Sequence, residues 1–232
     1  MTDSITLGNG GIPSAGRPPS RVVHCAEALA WLRAQPVLAG CSLFTSLPDA
    51  TELPGVRDQE WQRWFIEAAG LVLTRTPDDG AALFYQSDVK RGGVWIDKAY
   101  LLQKAAEQAG ASLLFHKIVC RRPPGTITYG RAGYGHLLCF SRGLRQDLGH
   151  ASADVLAAQG ELTWVRAVGV DVCRLACRWV LAETQTRTIV DPFCGVGTAL
   201  AIANQLGLDA IGVELNQKRA RKARGLQLPP PG

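Results

Sequence analysis

Thr188-Ile-Val-Asp191-Pro192-Phe193-Cys-Gly195-Val-Gly197-Thr198 is the stretch from which the fold can be read. A short β-branched run, 188–191, passes through two glycines into residues 199–205, Ala-Leu-Ala-Ile-Ala-Asn-Gln, which have helical composition. Glycines at such a strand-to-helix turn let backbone come close to a ligand. The third glycine of the dinucleotide fingerprint is absent, because Leu200 stands in its place. Two carboxylates frame the turn: Asp191 precedes it, and Glu214 ends the next expected strand, 209–214, seventeen residues beyond Gly197. A carboxylate so placed can accept both hydroxyls of a ribose.

Outward from this loop, short β-rich runs alternate with longer helical patterns, the signature of a mostly parallel sheet covered by helices. Seven strands are expected, over residues 21–24, 40–46, 81–86, 112–121, 136–141, 188–191 and 209–214. Helices are expected over 26–34, 58–69, 100–108 and 170–182. No helix separates 112–121 from 136–141, so these two should form an antiparallel hairpin at one sheet edge, joined by the loop 122–135. Residues 1–20, rich in Gly, Pro and Ser, read as a disordered arm, 21–226 as one catalytic domain and 227–232 as a flexible tail.

The string DPFCGVGT followed by IGVELN resembles the S-adenosylmethionine-dependent methyltransferases of the Rossmann-like class. The resemblance implies that Gly195 and Gly197 pack against the methionine and ribose portion of the cofactor. By the same resemblance Asp191 orients its amino-acid end, Glu214 holds the ribose, and Pro192, Phe193 and Thr198 complete the pocket. Only 34 residues follow Thr198, too few for the five further strands such a fold needs. The remaining strands must precede the loop, so the fold is expected to be circularly permuted, as in the β group of nucleic-acid amino-methyltransferases. There an acceptor motif, [DNS]PP[YF], comes first and the cofactor loop last.

In that order, Val22-Val-His-Cys25 resembles the strand that touches the cofactor adenine, with Cys25 where relatives often carry Asp. Ser46-Leu47-Pro48-Asp49 stands where the family has its catalytic tetrapeptide, with leucine for the first proline and aspartate for the aromatic. A polar Ser46 and the carbonyl after it would align an exocyclic amine. Asp49 cannot stack on a base, but it can take a proton or fix the acceptor. The plainer alternative is that this segment turns the chain and Asp49 caps the segment after it. Lys90 to Asp97, containing Trp95, resembles a substrate loop. Arg122, Tyr129, Arg131 and Tyr134 combine cations for phosphates with aromatics for unstacked bases.

Lys and Arg number 25 against 20 Asp and Glu, and the resulting charge of +5 favours a polyanionic partner without demanding one. Between Arg142 and Val168 there is little room for a recognition insert, which favours RNA over DNA as substrate, with a protein partner possible for recognition. A DNA amino-methyltransferase acting with a partner, a small-molecule or protein methyltransferase, and a non-catalytic subunit of this fold remain alternatives. Seven scattered cysteines and four histidines show no ligand spacing, so no metal is expected. Without a signal peptide or a span of roughly 20 apolar residues, the expected location is cytoplasmic and no membrane is involved.

Overall fold

The computed structural model describes residues 17–53, 57–146 and 151–229. Of the arm expected over 1–20, residues 1–16 lie outside the described residues, as do residues 230–232 of the tail expected over 227–232. In chain order the elements are β1 (Arg21–His24), α1 (Ala28–Ala34), β2 (Cys41–Thr45), a 3-10 turn (Ala50–Glu52), α2 (Asp58–Arg75), β3 (Ala82–Gln86), β4 (Val89–Arg91) and β5 (Val94–Ile96). They continue with α3 (Lys98–Gln108), β6 (Ser112–Cys120), β7 (Tyr134–Ser141), β8 (Val155–Leu156), α4 (Val170–Glu183), β9 (Thr188–Asp191), α5 (Thr198–Gln205), β10 (Asp209–Val213) and α6 (Gln217–Gly225).

The main sheet runs β1-β10-β9-β2-β3-β7-β6-β8. Strands β1, β10, β9, β2 and β3 are mutually parallel, while β7 is antiparallel to both β3 and β6. The last two long strands of the chain thus lie between its first two, the permuted arrangement that counting residues required. Every residue of β2 and β3 is buried, as expected of central strands packed on both faces.

Helices cover both faces. Leu29 and Leu32 of α1, Trp61, Phe65 and Val72 of α2, and Leu101 and Leu102 of α3 close one core. Val172, Cys173 and Val180 of α4, Leu200 and Ile202 of α5, and Ala220 and Ala223 of α6 close the other. The helix starts are fixed locally: Glu27 accepts the Leu29 and Ala30 amides, and Asp97 accepts that of Tyr100.

Four expectations need correction. The sheet has eight strands rather than seven, because the two-residue β8 pairs with β6 in parallel. The hairpin β6–β7 therefore does not form the edge. The Ile118 amide on the outer side of β6 donates to Asp154 O at 2.8 Å, so a two-residue strand suffices to cover it. No periodicity signals so short a strand. Residues 89–96 fold as a separate antiparallel ribbon, β4–β5, and α2 continues six residues past its expected end.

Candidate active site

β9 and β2 are neighbours, but β9 leads into α5 on one face and β2 into α2 on the other. Their carboxyl ends therefore part at a topological switch point, where α/β sheets bind ligands. Thr45, the last residue of β2, donates its hydroxyl to Asp191 Oδ1 at 2.7 Å, and the Phe193 amide donates to the same oxygen at 3.1 Å. Burial pushes the Asp191 carboxyl up to about 7, in spite of those two bonds.

The turn beyond Asp191 has the shape its glycines suggested. Gly195 and Gly197 take φ of 55° and 86°, and a Cβ at Gly197 would lie 2.9 Å from the Cα of Ala223 in α6. Pro192 and Thr198 are buried and Phe193 is half-buried, its ring edge-on to Trp64 at 6.0 Å. Glu214 follows β10 and is 8% exposed. Its Oε1 accepts the Asn216 amide at 2.7 Å and Arg219 Nε and Nη2 at 3.0 and 2.8 Å. The Glu214 amide in turn donates to His24 O at 3.0 Å, and the exposed Cys25 thiol reaches Leu215 O at 3.7 Å. The residues expected from the sequence to hold a cofactor thus lie at or just beyond the carboxyl ends of three adjacent strands, β1, β10 and β9.

A segment that carries no motif lies beside the glycine turn. Thr163 and Thr198 share a 2.6 Å hydroxyl bond, and Trp164 is the nearest neighbour of a Cβ placed at Gly195, 3.6 Å away. The Arg219 guanidinium lies 5.7 Å from the Trp164 ring centroid, and Arg166 reaches across to Glu52 at 2.9 Å. Sequence reasoning missed Thr163, Trp164 and Arg166, because no periodicity marks the loop ahead of α4.

Beyond β2, Ser46, Leu47 and Asp49 line an open cleft of about 320 Å³ together with Lys98, Arg121 and Arg131. Pro48 is half-buried, and its carbonyl accepts Trp61 Nε1 at 3.1 Å, while the Leu47 carbonyl accepts Gln86 Nε2 at 3.3 Å. Asp49 leads into the 3-10 turn, and its carboxylate meets two cations. Lys98 Nζ hydrogen-bonds Oδ1, and Arg131 Nη2 lies 3.0 Å from Oδ2. Lys98 is 2% exposed, and burial lowers its pKa, an effect partly countered by Asp49. Its sequence signal was available: Lys98, Leu101, Leu102 and Ala105 share the apolar phase of α3.

The substrate residues expected on loops do not all converge. Arg131 enters the cleft because Lys90 N donates to Gly130 O at 2.8 Å and Val89 bridges Arg131, so the β4–β5 ribbon props the loop. Trp95 on the ribbon is 48% exposed and Tyr129 89% exposed, and Arg122 lies on the same loop as Tyr129. Tyr134 packs edge-on to His136, which bonds both Asp88 Oδ2 and His116 Nε2 at 2.9 Å. Asp88, Asp97 and His136 place one ligand atom each within 4.8 Å of one another, a grouping the sequence spacing did not reveal. In the structure Asp88 and His136 are partnered with each other. Among the described residues, no helix is long and apolar enough to cross a membrane.

No protein-family profile matches the chain, and no curated protein sequence does. Solved structures match over most of its length. TTHA0409, a putative DNA modification methylase from Thermus thermophilus solved with S-adenosyl-L-methionine, is 20% identical with a TM-score of 0.67, covering 88% of this chain and 92% of its own. PvuII DNA methyltransferase, cytosine-N4-specific, is 16% identical with a TM-score of 0.68, covering 90% and 88%. M1.HpyAVI is 13% identical with a TM-score of 0.58, covering 88% and 96%. The chain shares the fold of these proteins nearly end to end.

Proposed function

We propose that the chain is an S-adenosylmethionine-dependent methyltransferase that acts on an exocyclic amine of a nucleic-acid base. The observation that carries this reading is the switch point itself, where a glycine turn flanked by Asp191 and Glu214 adjoins a polar cleft through the Thr45–Asp191 bond. The residues present fit the cofactor. Glu214 commits Oε1 to its protein partners, so Oε2 can accept ribose hydroxyls, and Asp191 likewise spends Oδ1, so Oδ2 can face an ammonium. S-adenosylmethionine, when bound, supplies a methyl group on an electron-poor sulfonium. Ser46 and the Leu47 carbonyl align the amine, and Asp49 holds it or receives the proton it releases on gaining the methyl group.

The nucleic-acid species is a finer question. The scarcity of room for a recognition insert favours RNA, yet the two solved structures named as DNA methylases are covered 92% and 88% by this chain. Chain length therefore does not argue against DNA. The exposed Tyr129 and Trp95, with Arg122 on the same loop as Tyr129, suit unstacked bases in either polymer. The test is transfer of label from methyl-labelled S-adenosylmethionine to total RNA and to genomic duplex DNA from cells lacking the chain. Label in RNA supports the sequence expectation, and label in duplex DNA supports the DNA reading. Label in neither, with transfer to protein or small molecules instead, overturns the nucleic-acid assignment.

A further inference from the structure

The geometry points to guanine as the base whose amine this cleft accepts, with Asp49 as the residue that selects it. The inference rests on the nucleic-acid reading above and names the substrate within it.

Asp49 occupies the place at which the resembling family carries an aromatic ring, and a carboxylate selects by hydrogen bonding instead of stacking. Its side chain is 10% exposed, and its two oxygens face Lys98 and Arg131. Arg121, held by the Ser87 hydroxyl at 3.1 Å, lines the same cleft. The cleft therefore offers the Asp49 carboxylate among cationic donors, while the second carboxylate of its lining, Glu52, is paired with Arg166.

Three bases carry an exocyclic amine, and their edges differ. Beside the amine, adenine and cytosine present a ring nitrogen with a lone pair, which a carboxylate would meet lone pair to lone pair. Guanine alone presents a ring N–H there, so its N1–H and N2–H form two parallel donors that match a carboxylate's two oxygens. Its neighbouring O6 accepts from a cation. Asp49 with Lys98 and Arg131 has this complement: two acceptor oxygens beside strong donors.

The two cations divide the work. Lys98, 2% exposed and fixed at the start of α3, stays with Asp49 Oδ1. Arg131, with a side chain 50% exposed on a loop, is free to exchange Oδ2 for the base carbonyl when the N–H donors arrive. A flipped base is read by hydrogen bonds to its Watson–Crick edge as well as by stacking, and Asp49 supplies the hydrogen bonds.

Two readouts test the inference. Nucleosides from RNA and DNA methylated by the purified chain are identified by mass spectrometry, and N2-methylguanine is the expected product. Asp49→Asn, which replaces one acceptor with a donor, is expected to lower guanine methylation at least tenfold while cofactor binding is unchanged. Independently of turnover, saturation-transfer NMR on the unmodified chain is expected to show guanosine monophosphate displacing bound oligonucleotide at lower concentration than the adenosine or cytidine monophosphates. N6-methyladenine or N4-methylcytosine as product, or no preference among the nucleotides, overturns the guanine assignment and leaves the methyltransferase reading standing. No methylated base in any nucleic acid overturns that reading itself.

Discussion

Thr45 and Asp191 sit 146 positions apart in the chain and are joined by a 2.7 Å hydrogen bond across the gap between the ends of β2 and β9. The bond ties the strand that leads into the acceptor segment to the strand that leads into the glycine turn, so the two sites share one floor. It also fixes the direction of Asp191, whose burial raises its carboxyl to about 7.

That shift has a signed consequence for stability. The folded chain keeps a proton that unfolded Asp191 loses near its ordinary value of 3.8, so stability from this group is present below about pH 4 and is lost as pH rises to about 7. Asp191→Asn is expected to raise the denaturation midpoint of the ligand-free protein at pH 8 relative to wild type, with the difference vanishing below pH 4. Chemical denaturation at several pH values checks it.

The same group links pH to cofactor affinity. An ammonium beside Asp191 favours the ionised carboxylate, so binding at pH 6 releases a proton and affinity climbs with pH until about 7. Calorimetry in buffers of different ionisation enthalpy counts that proton, and Asp191→Asn is expected to abolish both the release and the climb.

Lys98 and Asp49 form a buried ion pair, and removing Lys98 leaves Asp49 with the half-exposed Arg131 alone. Lys98→Met is expected to cost up to about 3 kcal/mol of stability, the low end of the range for a broken buried pair. Adding Asp49→Asn to the same chain is expected to recover part of that loss, because no buried charge is then left over. A double-mutant cycle by urea denaturation measures the coupling.

At Gly197 the backbone has φ of 86° and Ala223 stands 2.9 Å from any added Cβ. Gly197→Ala therefore combines left-handed strain of about 1–3 kcal/mol with a displaced α6. The expected result is a lower melting temperature together with weakened cofactor binding, because α6 carries Arg219, the partner of Glu214.

Much of the framework was legible in the sequence, and the reasons are local. β1 and β9 fall on the residues expected because β-branched runs bounded by turn residues leave little else for a short segment to do. The glycine turn was readable because a tight strand-to-helix turn takes positive φ, which Gly195 and Gly197 adopt. Trp164 and Lys98 were harder. Trp164 comes to the glycine turn through loop 161–169, whose path depends on tertiary bonds such as Val170 N to Glu161 O, and Lys98 looks like an ordinary helix lysine until its apolar phase is counted. β8 was invisible because its pairing, not its composition, makes it a strand.

On this reading the switch point between β9 and β2 holds S-adenosylmethionine, and everything proposed for the acceptor cleft depends on it. Titration calorimetry of the purified chain with S-adenosylmethionine and S-adenosylhomocysteine tests it most directly. The expected dissociation constants are micromolar or tighter, weakened by about 1.5–3 kcal/mol in Glu214→Ala, the range for losing hydrogen bonds to a charged group. No heat of binding with either ligand, while a nicotinamide dinucleotide binds, would contradict it.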